Sequence, residues 1–373
     1  QLLEVAVLVP GAAAHALGQK CGNCHTAQGH LPFYASFPIA SSLVKGDIRK
    51  GSEWFDMVAA FAKAPGQPVD EATLAKIEQS IGDGSMPPHR YLMMHWDGRL
   101  TAAEKQAVLG WIHEVRAKHF ATDCCPADLK AAVIRPIPEA PKLDAKKVAL
   151  GNRLYHDTRL SKDNTISCAS CHDLAKGGCD VEPVSTGVGG AKGGINAPTV
   201  FNAAFHVAQF WDGRAADLAA QAAGPPANPI EMASSWPEIV GKLSADAAFK
   251  AEFEASYPGG ITEANVCDAI ATYEMTLVTP NSDFDKFLKG DQAALGAEAK
   301  QGHALFMESG CATCHSGMAM GGRSFEKMGR TADYFADRGN PTDADIGRAG
   351  VTKNEADKHK FKEIGRASCR ERV

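Results

Sequence analysis

Ser167-Cys-Ala-Ser-Cys-His172 is the stretch on which the reading of this 373-residue chain turns. A Cys-x-x-Cys pair alone fits a redox disulfide or half of a zinc site. The histidine directly after the second cysteine separates these from a third chemistry. Two thiols at this spacing add across the vinyl groups of a haem, and the adjoining imidazole is thereby carried beneath the iron as its axial ligand. The pattern recurs at Cys21-Gly-Asn-Cys-His25 and Cys311-Ala-Thr-Cys-His315. With 11 Cys and 13 His in the chain, composition alone gives roughly 0.01 such motifs, so three are not accidental. The expected cofactors are therefore three covalently bound haem c groups. Cys21 and Cys24, Cys168 and Cys171, and Cys311 and Cys314 attach them, and His25, His172 and His315 ligate the irons.

Haem of this type is attached after export, so the motifs imply a compartment outside the cytoplasm, the periplasm. The net charge of -5 and the lack of any Lys/Arg-rich run argue against a nucleic-acid partner. No apolar stretch reaches the ~18 to 20 residues of a membrane span, and Leu2–Pro10 is far too short. The chain opens on Gln1, and a signal peptide or membrane anchor is expected upstream of it. Glu363–Val373, EIGRASCRERV, reads as a non-native tail, which sets Cys369 aside. Cys124, Cys125, Cys179 and Cys267 read as buried thiols rather than as disulfides.

The motifs begin at 21, 168 and 311, which gives spacings of 147 and 143 and suggests one haem per domain. Helical periodicity dominates and no series of alternating strands stands out. The expected fold is mainly α, with three cytochrome c-like haem domains in tandem and the third truncated. The expected boundaries are 1–123 for a mono-haem domain, 124–144 for a Pro-rich linker, 145–290 for a second haem domain, 291–362 for the truncated third and 363–373 for the tail. Thr101 and Glu104 form a capping box, and Val108, Trp111, Ile112 and Val115 follow at helical spacing, so a helix closes the first domain near Phe120. Gly-x-x-Leu-aromatic occurs at 151–155 and again at 302–306, each ahead of a haem motif, as a duplicated haem domain requires. Each glycine is placed for close approach to a helix or to haem.

The far side of each haem sets its chemistry, because a sixth ligand makes an electron carrier and an open position admits a small molecule. For the first haem, Met86 in Met86-Pro87-Pro88 is the expected ligand, with His89, Met93, Met94 and His95 as rivals. Met318 and Met320 lie too near His315 to reach the opposite face of the third haem, whose ligand is expected beyond the present chain. The second motif has no strong candidate after it. The glycine-rich stretch Ser185–Gly194 fits a flexible loop beside an open haem better than a phosphate cradle, since no Walker pattern completes it.

Leu160-Ser-Lys, Asn196-Ala-Pro-Thr199, Gln209-Phe-Trp-Asp-Gly-Arg214, Gln221, Asn228-Pro-Ile-Glu-Met232, Thr279-Pro280, Phe284-Asp285 and Gly310–Gly317 join the second and third motifs in one ordered set. Residues 146–362 thereby resemble the bacterial di-haem cytochrome c peroxidase family, and the added N-terminal unit resembles its tri-haem, quinol-linked branch. The resemblance implies a peroxidatic haem at His172 and an electron-donating haem at His315, with Trp211 between them. Electrons would enter at the first haem. Glu231 and Gln221 fall at the polar distal positions, with Glu231 as the group that moves a proton, and Asn196 falls at a calcium site. The substrate implied is hydrogen peroxide. The electron donor is a quinol or a small cytochrome c, and the membrane contact is through the upstream anchor. Many members carry a histidine ligand in the glycine-rich loop; here Val188 stands there, so the peroxidatic haem is expected to be open. His206 is a substitute ligand or a satisfied core histidine. From the residues alone, Glu231 also reads as a carboxylate at a helix start and Trp211 as a core aromatic. A pure electron-transfer cytochrome, or a haem enzyme that oxidises a protein or organic substrate, are the rival functions.

Overall fold

The computed structural model describes residues 9–26, 31, 33–64, 66–123, 125–329 and 332–363. Cys124 and the tail from 364 lie outside the described residues. The architecture is mainly helical, as expected. Among the described residues the regular strands are Phe325–Lys327 and Lys360–Lys362, which pair antiparallel with Glu326 opposite Phe361. Three-residue strands leave too short an alternation to register in the sequence.

The chain packs as two compact units that follow its order only in part. One comprises 1–135 with 297–317, and the other 136–296 with 318–373. The first unit therefore holds both the Cys21 and the Cys311 motifs, and the second holds the Cys168 motif. Backbone pairing draws 297–317 into the first unit. Gly317 N donates to Val133 O at 2.8 Å, and Ile134 bridges Gly317 in parallel. Arg135, buried one residue further on, forms an ion pair with buried Glu71.

In the first unit the helix Ala102–His119 begins on the expected Thr101–Glu104 capping box and ends against Phe120. Val108, Trp111 and Ile112 are buried on it beside Leu17, Met57, Phe61 and Leu74. Trp111 stacks on Phe61 with ring centroids 5.9 Å apart. The motif cysteines and His25 sit at the end of the helix Gly11–Lys20.

The second unit is built on the helices Ala145–Tyr155 and Glu263–Glu274, which pack against one another through Gly151. A Cβ at Gly151 would fall 1.9 Å from Ala269 O, so only glycine permits this approach. Its counterpart Gly302, on the helix Ala297–Glu308, meets nothing within 4 Å. Leu150, Leu154, Ile239, Phe249, Phe253, Val266 and Ile270 fill the core around the pair. Tyr155 donates its hydroxyl to His172 O at 2.6 Å, which fixes the haem motif to the same pair. Cys125 and Cys267 are buried as expected, whereas Cys179 is partly exposed, because it sits in a turn with its thiol 3.6 Å from Lys176 O. No helix among the described residues is long and apolar enough to cross a membrane.

Candidate active site

His172 supplies the geometric starting point. Its Nδ1 lies 3.0 Å from Pro198 O. A carbonyl only accepts, so Nδ1 carries the proton and Nε2 keeps its lone pair for a metal. Burial also holds the imidazole below its ordinary pKa, in the neutral form a ligand needs. His25 is arranged in the same way, with Nδ1 3.2 Å from Phe55 O and its ring stacked on Phe55 at 4.5 Å. The sequence singled out both histidines but not these acceptors, which come from distant backbone.

Cys168 and Cys171 occupy one turn of helix, begun by Ser167. Burial raises the pKa of both thiols. With His172 they line a cavity of about 270 Å³. Glu231, Gln221, Trp211, Asn196 and His206 line the same cavity, whereas Val188, also expected beside the second haem, is not among its lining residues. The neutral imidazole, the two thiols and the largely apolar walls of that cavity fit a covalently held haem.

Glu231 does not start a helix. It closes a turn from Asn228, after the short helix Gly224–Ala227. Asn228 Oδ1 accepts from Ile230 N at 3.2 Å, and Asn228 Nδ2 donates to Glu231 Oε1 at 2.6 Å. Burial raises the Glu231 pKa, while the Asn228 bond and the nearby Arg214 charge oppose the rise. Asn228 thus holds the carboxylate in place and favours its ionised form. That role was hidden in the sequence, although Asn-Pro ahead of the acid is a recognisable turn signal.

The glycine-rich stretch, expected to be a flexible loop, is folded. Thr186 bridges Lys192, Gly187 N donates to Ala191 O at 2.7 Å, and Val188 N donates to Glu231 O at 2.8 Å. The loop lies directly on the backbone of Glu231, and Gly187 is the residue that permits the contact. A Cβ there would fall 2.3 Å from Ile230 O and 2.5 Å from Glu231 O. Gly187→Ala is accordingly expected to push the loop off Glu231 at a cost of about 1–3 kcal/mol, the range for overpacking. Thermal unfolding beside the wild type checks this.

Trp211 is held by the backbone of two other residues of the cavity wall. Its Nε1 donates to Asn196 O at 3.0 Å, and its own carbonyl accepts from Lys362 N at 2.7 Å. Phe210, just before it, has φ +64°, an uncommon and strained conformation for a bulky residue. Arg214 lies over the Phe210 ring at 3.5 Å and pairs with Asp212 at 3.1 Å. Gln221 reaches the wall from the helix Leu218–Ala222, capped by Asp217. His206 has Nδ1 3.1 Å from Lys362 Nζ, and burial holds its pKa well below the ordinary value. The ammonium can only donate, so His206 Nδ1 accepts and Nε2, buried without a hydrogen-bond partner, carries the proton.

Glu274, not expected from the sequence, also lines the cavity and is buried. Burial raises its pKa from 4.5 to about 8. The folded carboxyl therefore holds its proton where the unfolded one has lost it. The stability this gives is complete below about pH 4.5 and is lost as pH rises through about 8. Glu274→Gln is expected to flatten that dependence, so that the thermal midpoint falls less between pH 5 and pH 9 than in the wild type; the effect is on the order of a few kcal/mol.

A second cavity, of about 50 Å³, is lined by Cys21, Cys24, His25 and Met86, with Pro87, Pro88 and Tyr91 on its wall. Met86 thus shares one space with the first motif. For the third motif, Cys311 and Cys314 flank a single turn after the helix Ala297–Glu308, and Phe306 lies 6.0 Å from the His315 ring.

Residues 145–293 match the family described as di-haem cytochrome c peroxidase, and residues 5–114 match a haem-binding domain. Cytochrome c peroxidase Ccp of Escherichia coli (strain K12) is 49% identical over 347 residues, which span 92% of this chain and 74% of that protein. Cytochrome c551 peroxidase of Nitrosomonas europaea is 46% identical over 231 residues, 61% of this chain and 67% of the relative. Among solved structures, a MauG-like protein associated with microbial copper homeostasis superposes with a TM-score of 0.54 at 29% identity, over 61% of this chain and 71% of that one. With its haem-attachment motifs and near-half identity along most of its length to a bacterial peroxidase, the chain belongs to the di-haem cytochrome c peroxidase family.

Proposed function

We propose that this chain, a haem peroxidase of the cytochrome c peroxidase type, reduces hydrogen peroxide to water in the cavity beside His172, with Glu231 as the proton-transferring group. The observation that carries the reading is the shared cavity. A half-buried carboxylate held by Asn228 lines the same space as the two attachment thiols and a histidine whose Nε2 is free to bind iron. Haem c, when bound there, supplies the redox chemistry and a place for one peroxide oxygen.

The overall step takes hydrogen peroxide, two electrons and two protons to two waters. Glu231 accepts a proton from one peroxide oxygen and returns it to the other, so that the second leaves as water. A positioned acid–base group of this kind contributes about 10² to 10⁴-fold. Gln221 offers an amide to orient the peroxide. Val188 cannot ligate iron, so the glycine-rich loop, held by the Val188 N–H on Glu231 O, would offer no side-chain ligand at that position to a haem bound by His172. Trp211, fixed through Asn196, is the aromatic through which electrons reach the cavity.

The same reading assigns three haem c groups, with Met86 as sixth ligand at the first. It places the enzyme in the periplasm, with Asn196 contributing its side chain to a calcium site. The N-terminal haem unit serves as the point of electron entry, from a quinol in preference to a small cytochrome c, and membrane association belongs with that donor. Electron paramagnetic resonance of the haem-loaded protein tests the open position. A high-spin ferric signal that disappears on adding peroxide is expected. Low-spin haems alone, indifferent to peroxide in the oxidised and half-reduced states, would leave an electron carrier instead.

A further inference from the structure

The five most exposed large apolar side chains among the described residues all lie in the N-terminal unit. They are Trp96 at 83%, Ile39 at 82%, Phe33 at 81%, Met93 at 80% and Met94 at 70%. Phe37 and Leu43 are exposed with them. These residues come from two stretches that touch. The Tyr34 hydroxyl meets His95 Nε2 at 2.6 Å, and Phe33 packs edge-on against Tyr34 at 5.7 Å and against Phe37 at 6.2 Å.

The helix Pro38–Trp54 explains why the face stays bare. Its one buried residue is Gly51, where an added Cβ would fall 2.4 Å from Cys24 O. The helix is thus docked by its C-terminal end. Ile39 and Leu43, one turn apart, share a solvent-facing stripe with Lys50. Apolar surface gathered in this way on a folded protein marks an interaction site. Side chains four-fifths exposed project from the surface rather than line a groove, which suits insertion into a bilayer better than the fit of a folded partner.

Charge selects the occupant. Residues 31–54 and 89–99 carry five basic side chains, Lys45, Arg49, Lys50, Arg90 and Arg99, against three acidic ones, Asp47, Glu53 and Asp97. The two stretches that carry the face are therefore positive by two, in a chain whose net charge is -5. Asp47 and Glu53 are already paired, with Arg90 and Arg49. An aromatic and aliphatic face bordered by unpaired basic residues is the composition that lies in the headgroup layer of an anionic membrane.

We propose that this face docks on an anionic lipid bilayer, with Phe33, Ile39, Leu43 and Trp96 entering the headgroup region and the flanking lysines and arginines meeting lipid phosphates. The face adjoins the first haem cavity, since Tyr91, on that cavity's wall, stacks on His95 at 4.1 Å. Docking would hold the N-terminal haem against the membrane, where a lipid-soluble donor is dissolved. The proposal rests on the membrane association proposed above for the donor, and its test is independent of the peroxide chemistry.

The test is co-sedimentation of the haem-loaded full chain with vesicles containing phosphatidylglycerol and with vesicles of phosphatidylcholine alone. Binding to the anionic vesicles is expected, weakened by salt and about tenfold weaker in the triple variant Ile39→Ser, Leu43→Ser, Trp96→Ser. The variant's haem absorbance and its peroxide turnover with an artificial donor should match the wild type, which shows that it is folded. A blue shift of tryptophan emission on binding, lost with Trp96→Ser, reports insertion directly. Absence of binding to either vesicle, or equal binding by the variant, would overturn the proposal. So would concentration-dependent self-association that the same substitutions abolish, because the face would then serve a second copy of the chain.

Discussion

Glu231→Gln is expected to lower the turnover of hydrogen peroxide by about 10² to 10⁴-fold, the usual contribution of a positioned acid–base group. The amide preserves the volume of the side chain and a hydrogen-bonding oxygen for Asn228, which lies 2.6 Å away, so the turn from Asn228 should survive. Haem content and thermal midpoint should change little. What disappears is the ability to take and return a proton inside a buried cavity. The loss should fall on kcat more than on KM, since the effect is on proton movement rather than on holding peroxide. A residual rate within tenfold of the wild type would show that another group moves the proton.

The second large effect concerns the cavity itself. Cys168→Ala with Cys171→Ala should produce a chain with one covalent haem fewer, seen as a mass loss of one haem on intact-protein mass spectrometry. Peroxidase activity should be lost entirely while the other haems remain. The cavity beside these residues measures about 270 Å³, and an unfilled space of that size is costly to a core. The double variant should therefore also unfold at lower temperature. Activity retained by it would place the peroxide chemistry at another motif.

The three Cys-x-x-Cys-His motifs were legible because the chemistry they encode is local. Two thiols and a histidine must stand at fixed spacing to meet one haem, and the chain displays that spacing openly. Helices were legible for a similar reason: Thr101 and Glu104 announce one, and Val108, Trp111 and Ile112 show its buried face. What the sequence concealed depends on contacts between distant residues. Pro198 O as the acceptor for His172 is one such contact, and the crossing of Gly187 over the backbone of Glu231 is another. Glu274 looked like any acid on a helix until packing against the helix Ala145–Tyr155 buried it. The grouping of 297–317 with the N-terminal unit rests on backbone pairing at Gly317, which leaves no periodic signal. The exposed face around Ile39 and Trp96 was invisible for the opposite reason, because an apolar residue in a helix is ordinarily taken for core.

The central claim, that Glu231 moves the proton in the His172 cavity, is tested most directly by the pH dependence of the reaction with peroxide. The haem-loaded protein is mixed rapidly with hydrogen peroxide across the pH range, and the rate is read from the haem absorbance. Glu231 must be ionised to accept a proton, so the rate should fall on the acid side as the carboxyl protonates. Asn228 donates to the carboxylate and lowers its pKa against the rise caused by burial. Asn228→Ala should therefore move that acid limb to higher pH, and Glu231→Gln should abolish it along with most of the rate. An acid limb at the same pH in all three proteins would contradict the account.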